Sequence, residues 1–377
     1  MFFTIIFLSI YITMVWLAPF PYWRTYFILW KHVLFNWKKE INIKAKSRQL
    51  KFLLKYLLLC PLWTLLWCLD ELLFPGYRRQ QIRPIFIIGQ PRSGTTFLHR
   101  TLAEDNKNFF AIRHIEWRYP YITIQKILNL PWLSNKLKTI NYWPDTEAGE
   151  KAAKMHPDTL FDWEEDGIFF EECFLHHFFI FLRFPYPELL SDLDSFPELP
   201  NKIQKHILKT HKKVIQKVMY LRKKDVFYLS KEVTSHNKIE SLVNLYSEAK
   251  FIMVFRSYSD YMSSLLELVR YSTLSKTDID PIIIPGWKAA FVERMRRHSL
   301  YLAELHSRQL DGKICIYLSF EHVTKNIFSS TERIYDFLKK QPDFLYLQYI
   351  KQVQRHQKNR KRGYEYQKED FENLDGL

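Results

Sequence analysis

A chain of 377 residues is long for one domain and short for three, so we expect one large domain with appended segments. Lysine and arginine total 55 against 40 aspartates and glutamates, and the formal charge of +15 calls for an anionic partner: nucleic acid, an anionic membrane face or a polyanionic small molecule. The 4 cysteines form no CxxC pair, which argues against a disulfide scaffold and a zinc ribbon.

Residues 1–23 carry no charged side chain and are long enough to cross a bilayer core. Trp16, Tyr22 and Trp23 stand at one end, where an aromatic belt would lie. The basic residues follow this segment, and no basic region or cleavage site typical of a signal peptide is present. We therefore predict a transmembrane anchor with the rest of the chain facing the cytoplasm. A buried core helix is the alternative.

A second apolar stretch covers residues 52–79, but it contains Lys55 and Pro61 and ends near an acidic pair. An interfacial or re-entrant helix fits this pattern as well as a span does. We predict a basic and apolar, membrane-associated helical region over residues 24–80 and leave the number of spans open.

From residue 81 to residue 377 the pattern alternates between strand and helix. Four apolar runs have the β-branched and aromatic residues typical of strands buried in a parallel sheet: 84–89, 225–230, 250–255 and 313–319. Helical patterns lie between them at 203–223 and 239–249. This order predicts an α/β domain with a parallel sheet flanked by helices. The proline-rich stretch 182–200 predicts a surface loop or an insertion.

The most specific signal is GQPRSGTT at residues 89–96, between a predicted strand and a predicted helix. The Gly-x4-Gly spacing of a P-loop at such a junction arranges backbone N–H groups and a helix N terminus around an anion. Arg92 would add a charge-assisted fork, and Thr95 and Thr96 would add hydroxyl donors. A nucleotide-hydrolysing loop would instead have a lysine at the position of Thr95 and a metal-binding aspartate after a neighbouring strand. We therefore predict an anion site without a metal.

A second anion site is predicted where the run 250–255 ends. Arg256 stands at the carboxyl end of this strand, and Ser264 follows eight residues later in the next predicted helix. The carboxyl ends of parallel strands meet at one edge of the sheet, where ligands bind. Two separated sites of this kind suit a ligand phosphorylated at two places. The alternative is a local salt bridge for Arg256 and a surface position for Ser264.

These motifs resemble those of sulfotransferases that use 3′-phosphoadenosine 5′-phosphosulfate (PAPS). The stretch FIIGQPRSGTTFLHRTL resembles their 5′-phosphosulfate loop, and the Arg256–Ser264 pair resembles their R-D-P-x5-S motif for the 3′-phosphate. Similarity to bacterial sulfotransferases of the tyrosylprotein and carbohydrate type extends over roughly residues 50–375. It includes the stretches LSKEVTSHNKIESL, LSFEHVTKNIFSSTERIYDFLKK and HQKNRKRGYEYQKEDF.

The resemblance implies PAPS as the donor and in-line transfer of its sulfuryl group to a hydroxyl, governed by positioning and electrostatics. The residues implied for the 5′-phosphosulfate are Arg92, Ser93, Gly94, Thr95 and Thr96, and those implied for the 3′-phosphate are Arg256 and Ser264. The chain departs from the family pattern with Ser257-Tyr258 for Asp-Pro, Glu232-Val233 for Ser-Pro, and Phe320-Glu321-His322 for Tyr-Glu-Asp. The first two departures lie beside the predicted active edge and bear on acceptor choice.

The acceptor hydroxyl needs a base. Relatives carry a glutamate in the segment after the first helix of the domain, which here offers Glu116, with His114 as its rival. Lys231, at the end of a predicted strand, would reach the bridging oxygen or the transferred sulfonate, and a surface lysine is the alternative. We interpret His236 as a helix-start residue rather than a catalyst.

Two charged stretches keep open interpretations. The acidic stretch 156–170 is similar to one on the acceptor side of relatives, and a solvated loop explains it equally well. The basic run 358–368 either closes over the 3′-phosphate of the nucleotide or is a solvated or membrane-facing tail. No cluster has metal-ligand spacing, so we predict no metal.

Three functions are compatible with these patterns. The first is a membrane-associated, cytoplasm-facing, PAPS-dependent sulfotransferase. The second is a metal-dependent P-loop kinase of nucleosides or small molecules. The third is a non-catalytic basic protein that binds nucleic acid or acidic lipid. The lysine-free loop and the second anion motif favour the first, without a nucleic-acid partner. Aromatic richness and the membrane segment favour a hydrophobic alcohol or a lipid-linked sugar as the acceptor.

Overall fold

A parallel sheet lies at the centre of the molecule. The structure, a computed structural model, describes residues 2–16, 18–20, 22–233, 235–308 and 312–359. The strands of these residues are β1 (Pro84–Gly89), β2 (Phe109–Phe110), β3 (Phe227–Lys231), β4 (Lys250–Phe255) and β5 (Cys315–Ser319). They form one sheet in the order β2-β3-β1-β4-β5, with every neighbouring pair parallel. The predicted α/β fold is confirmed.

Helices precede the sheet, connect its strands and cover its faces. The amino-terminal helices are α1 (Phe2–Trp16), α2 (Trp23–Phe35) and α3 (Ile43–Leu73). Those between β1 and β3 are α4 (Thr95–Ala103), α5 (His114–Arg118), α6 (Ile122–Leu128), α7 (Pro131–Leu137), α8 (Glu147–Met155), α9 (Gly167–Glu172), α10 (His177–Arg183), α11 (Leu189–Asp192) and α12 (Asn201–Arg222). The remaining ones are α13 (Ile239–Leu245), α14 (Tyr258–Thr277), α15 (Trp287–Ser307), α16 (Phe320–Lys325), α17 (Ile327–Leu338) and α18 (Phe344–Asn359). Single 3-10 turns occupy Pro75–Arg79, Phe196–Glu198, Ser235–Lys238 and Pro281–Ile283.

Strand β1 is central because all of its side chains are apolar or glycine and all are buried. Successive side chains of a strand point to opposite faces of the sheet. Accordingly, Ile85 and Ile87 pack into the core that α4, α17 and α18 cover, while Phe86 and Ile88 pack into the core that α12 and α13 cover. A continuous apolar run is therefore what a strand with helices on both faces requires.

The stretch 182–200 is more buried than its prolines predict. It contains α11 and a 3-10 turn, and its leucines and Phe196 insert into the cores beneath it. The stretch is therefore not a simple surface loop, since its apolar residues are buried, and the alternative prediction of an insertion stays a prediction. Apolar residues spaced between the prolines supply buried contacts that turn-forming residues alone would not make.

The amino-terminal region contains two apolar helices of different length, α1 and α3. Helix α1 has 15 residues, which corresponds to about 22 Å and is shorter than the ~30 Å hydrocarbon core of a bilayer. Among the described residues, α3 is the single helix long and apolar enough to cross a membrane, and it passes through Pro61 without ending. The anchor predicted over residues 1–23 includes positions outside the described ranges and stays a prediction.

One face of α3 is built into the sheet-containing domain. Asp70 is fully buried and accepts hydrogen bonds from the N–H groups of Ile122 and Thr123, at 2.7 and 3.1 Å. The ammonium of Lys217 on α12 lies 3.1 Å from the same carboxylate. Further along α3, Leu53 and other apolar residues share one core with α14 and α15. The region 24–80 therefore packs as part of the domain rather than as a separate unit.

Candidate active site

The loop after β1 is held tightly against β4. A Cβ atom on Gly89 would lie 2.2 Å from the carbonyl oxygen of Val254, so only glycine allows this approach of the two backbones. Arg92 and Gly94 both have positive φ angles, 64° and 85°, and α4 begins immediately afterwards at Thr95. The left-handed conformation of these two residues turns the chain so that the first N–H groups of α4 face the loop.

This loop has the chemistry of an anion cradle. The hydroxyl of Ser93 is buried and has no hydrogen-bond partner among the described residues. The first N–H groups of a helix have no intrahelical acceptor and attract anions. The Arg92 side chain donates from Nε to the Ser264 hydroxyl at 3.2 Å and from an Nη atom to the Met155 carbonyl at 3.0 Å. The loop thus combines a buried hydroxyl, the first N–H groups of a helix and an arginine within a few residues.

The second predicted motif meets this loop. The Arg256 guanidinium donates to the carbonyl oxygen of Arg92 at 2.7 Å and stacks over the ring of Phe320 at 4.2 Å. Ser264 lies beside Arg92 through the hydrogen bond described above. The carboxyl ends of β1 and β4 are therefore joined at one edge, as the parallel sheet predicted.

The departures from the family motif have local roles. Ser257, at the position of the usual aspartate, is the N-cap of α14, where its hydroxyl accepts from the N–H of Asp260. Phe320, at the position of the usual tyrosine, supplies the ring under Arg256. Glu232 is fully buried and pairs with Lys238 at 3.0 Å, with His176 at 3.5 Å on its other oxygen. Ser257, Phe320 and Glu232 thus each have a partner in this chain.

A cavity of about 1100 Å³ opens at this edge of the sheet. Arg92, Thr95, Thr96, Arg256 and Ser264 contribute to its wall, and so do parts of α16 and α18. The wall continues along α14 toward apolar residues of α10 and the ends of α8 and α9. This volume exceeds the range of about 300–1,000 Å³ that single-ligand pockets usually have. One cavity is therefore large enough for two substrates.

Comparison with known proteins identifies the family. A family model described as the sulfotransferase family matches residues 84–341, which is more than half of the chain. The chain belongs to the sulfotransferase family. This confirms the resemblance carried by the loop at 89–96 and the Arg256–Ser264 pair.

Two crystal structures share the fold of this sulfotransferase. Sulfotransferase STF1 from Mycobacterium tuberculosis H37Rv aligns with a TM-score of 0.64 at 14% identity, over 91% of this chain and 92% of that chain. Sulfotransferase STF9 from Mycobacterium avium aligns with a TM-score of 0.64 at 14% identity, over 87% of this chain and 81% of that chain. At this identity the likeness extends to the fold alone. No curated protein sequence matches the chain.

Lys231 of the sulfotransferase lies in the cavity wall at the end of β3. Its ammonium is buried and forms an ion pair of 2.5 Å with Glu165. Lys231 is in register with Ile87 of β1, so this pair stands one strand away from the anion loop. The alternative of a solvated surface lysine does not agree with this burial. Sequence reasoning included Glu165 only as part of an acidic stretch, because nothing local marks it as the partner of Lys231.

Glu116 does not line the cavity. It is buried, and its two oxygens accept from Arg222 of α12 at 2.8 and 2.6 Å. One of them also accepts the N–H of Arg113, which caps α5. A carboxylate held by a bidentate arginine and a backbone donor, away from the cavity, has no route to an acceptor hydroxyl. This geometry does not support the prediction of Glu116 as the base, and the contacts with Arg222 and Arg113 suit a structural role.

The rival His114 does line the cavity. Its Nδ1 atom lies 2.7 Å from a carboxylate oxygen of Asp158, and its Nε2 atom accepts from Arg118 at 3.3 Å. Burial, reinforced by the neighbouring Glu164, raises the pKa of Asp158. His114 is thus oriented by a carboxylate, but its second nitrogen already has a donor.

The acidic stretch 156–170 is folded into the site. Asp158, Glu164, Glu165 and Asp166 are all buried, which disfavours the interpretation as a solvated loop. Burial alone would raise the pKa of Glu164, but the neighbouring His156, 3.8 Å away, and the positive charges of Lys231 and Arg100 hold this pKa well below its usual value. Glu164 therefore stays ionised and is a weak proton acceptor.

Three further predictions concern His236, the basic run 358–368 and the absence of a metal site. The side chain of His236 and the basic run from residue 360 onward lie outside the described residues, so those interpretations stay predictions. Within the described ranges, no group of three or more histidine, cysteine, aspartate or glutamate side chains is arranged to hold a metal ion.

Proposed function

We propose that this sulfotransferase transfers the sulfuryl group of PAPS to a hydroxyl acceptor. The proposal rests on one observation: Arg92 of the glycine-bordered loop contacts both Arg256 and Ser264, and all three residues line one cavity. A ligand with phosphates at both ends of an adenosine needs two groups of donors within one cavity. The loop and the end of β4 supply them.

The residues present suit such a donor. The buried Ser93 hydroxyl lacks a partner among the described residues, and the N terminus of α4 adds backbone donors for a 5′-phosphosulfate. The guanidinium of Arg256 and the hydroxyl of Ser264 would hold the 3′-phosphate. PAPS supplies the activated sulfuryl group. The protein positions its two ends and neutralises charge on the departing phosphate.

We propose Glu165 as the general base in place of Glu116. Glu165 lines the cavity and contacts Lys231, whose strand neighbours the loop strand. In the transfer, the bond from sulfur to the 5′-phosphate oxygen breaks and a bond from sulfur to the acceptor oxygen forms. The acceptor proton passes to Glu165, and the nucleotide leaves as 3′-phosphoadenosine 5′-phosphate (PAP). Lys231 would stabilise charge on the bridging oxygen.

Binding of PAP tests the donor assignment. We expect PAP to raise the melting temperature of the protein without magnesium, and Arg92→Ala and Arg256→Ala each to abolish this shift. Arg24→Ala is the matched control, because Arg24 is an exposed arginine of the amino-terminal region. It pairs with Asp194 and does not line the cavity. A shift with ATP and magnesium but none with PAP would refute the proposal and favour a kinase.

The base assignment has its own test. Glu165→Gln should lower kcat by about 10²–10⁴ with the PAP shift retained, because a proton acceptor is lost while the anion loop is intact. His114→Gln is the comparison variant, since His114 is the other oriented group in the cavity. A large loss of kcat in His114→Gln and a normal rate in Glu165→Gln would transfer the role to His114.

We also propose that the protein associates with the cytoplasmic face of a membrane through α1 and α3. Most side chains of α1 between residues 4 and 13 are exposed and apolar, and α3 adds an exposed stripe that includes Leu58 and Leu62. Soluble proteins rarely expose apolar surfaces of this extent. Exposed lysines between these helices, such as Lys31 and Lys39, suit anionic headgroups.

Flotation with vesicles of phosphatidylcholine and phosphatidylglycerol tests this association. Leu58→Asp should reduce the floating fraction, whereas Leu345→Asp on α18 should not. Leu345→Asp is the matched control for Leu58→Asp, because the two leucines are 69% and 67% exposed. Equal flotation of the two variants, or no flotation of the unmodified protein, would refute the assignment of this surface.

A further inference from the structure

The cavity has an arm that begins at Ser264, a residue proposed to bind the donor, and continues along α14 past it. Ser264, Leu268, Ser272 and Lys276 line it and follow one another along α14 at intervals of four residues. Residues four apart are neighbours on one side of a helix. Twelve residues of helix correspond to about 18 Å, so the arm extends this far from the anion loop. Its length suits an extended acceptor.

The middle of this arm is apolar. Phe178, Phe179 and Leu182 of α10 face Leu265 and Leu268 of α14 across it. These side chains offer no hydrogen bonds to the hydroxyls of a sugar chain. A hydrocarbon segment would fill this part of the arm at no polar desolvation cost.

The far end of the arm has a cation without a carboxylate partner. The ammonium of Lys276 lies 4.5 Å from the ring centre of Trp143 and 5.1 Å from that of Tyr142. No carboxylate in the described part of the chain forms an ion pair with it. Glu171, whose charge acts on Lys276, is itself paired with Arg118 at 2.5 Å and with Arg183 at 3.3 Å.

The charges around Lys276 come from several elements. Burial is the main cause that lowers its pKa, to about 7. Arg183 of α10 and Arg118 of α5 lower this pKa further, whereas Glu171 of α9 and Asp158 raise it. An anion beside the ammonium would favour the protonated form and would complete the missing ion pair.

We propose that the acceptor is an elongated amphiphilic alcohol with an anionic group at the end remote from its hydroxyl, and that Lys276 binds this group. The inference rests on the proposed function, because that function places the hydroxyl end beside the anion loop. The apolar middle of the acceptor lies against α10 and α14. Lys276 thereby determines specificity and takes no part in the transfer itself.

Two probes of equal chain length test the inference: ω-hydroxydodecanoate, which has a carboxylate, and dodecane-α,ω-diol, which has none. Binding is measured by calorimetry on the full chain saturated with PAP. We expect the hydroxy acid to bind at least about tenfold more tightly than the diol, as a charge-assisted contact predicts. Lys276→Met should remove this preference, and Lys276→Arg should retain most of it.

The control is Lys288→Met, because Lys288 is an exposed lysine of α15 outside the cavity wall. It should keep the preference of the unmodified protein. Equal affinity of the unmodified protein for both probes would refute the inference even if Lys276→Met failed to fold. Failure of PAP to bind would instead refute the proposed function, so the two failures are distinguishable.

Discussion

The Glu116→Gln variant separates a structural carboxylate from a catalytic one. The substitution removes the charge that faces Arg222 and weakens three hydrogen bonds, two from Arg222 and one from the N–H of Arg113. Breaking a buried ion pair costs about 3–5 kcal/mol. We expect the lower end, about 3 kcal/mol, because the Arg222 side chain keeps 18% of its exposure and can recruit water.

A loss of this size should lower the melting temperature by about 4 °C in a chain of 377 residues, because the entropy of unfolding grows with chain length. Arg222→Met removes the other half of the pair and should produce a similar decrease. The double variant should be less destabilised than the sum of the two single variants, because both remove the same interaction. Differential scanning fluorimetry gives these values.

Turnover decides between the two roles. Sulfonate transfer from labelled PAPS to ω-hydroxydodecanoate or to a membrane-lipid extract should proceed at the normal rate per folded Glu116→Gln molecule below its melting temperature. Glu165→Gln is the comparison, with the large loss of kcat described above. A loss of about 10² or more in kcat for Glu116→Gln, with an unchanged melting temperature, would refute the structural role.

Three further predictions follow from the same site. Gly89→Ala should abolish PAP binding or soluble expression, since the new methyl group would meet the Val254 carbonyl at 2.2 Å; an ordinary PAP shift would contradict this. In the unmodified protein, PAP affinity should be insensitive to magnesium in calorimetry, and a requirement for the metal would count against the proposed donor site. The pKa of Lys276 is about 7, so its ammonium is charged below that pH and neutral above it. Affinity for ω-hydroxydodecanoate should therefore fall as the pH rises from about 6 to about 8. Lys276→Met should flatten this profile, and a profile that stays steep would show that another group titrates.

Local patterns account for what could be predicted about the fold. The runs at 84–89 and 250–255 become strands with those same bounds, since a strand buried on both faces needs a continuous apolar run. The helical pattern at 203–223 appears as α12, displaced by one or two residues. By contrast, the stretch 182–200 was misjudged because its prolines are visible locally, whereas the cores that receive its leucines are not.

The candidate site divides in the same way. The anion loop was recognisable because its glycines, arginine and threonines are contiguous, and Arg256 and Ser264 because they keep a short fixed spacing. Glu116 was misassigned because its partner Arg222 is 106 residues away in sequence. The pair of Lys231 and Glu165 spans 66 residues, and no local signal relates them.

The sequence by itself determined the α/β class and the glycine-bordered turn after β1, because backbone geometry at a strand end depends on neighbouring residues. The tertiary structure decided which carboxylate faces the cavity, how α3 is attached to the domain and where Lys276 lies. These outcomes depend on side chains brought together from distant segments. The burial of these side chains and the charges around them are therefore set by tertiary packing. They cannot be read from the neighbouring residues in the sequence, because the surroundings form only when the helices assemble on the sheet.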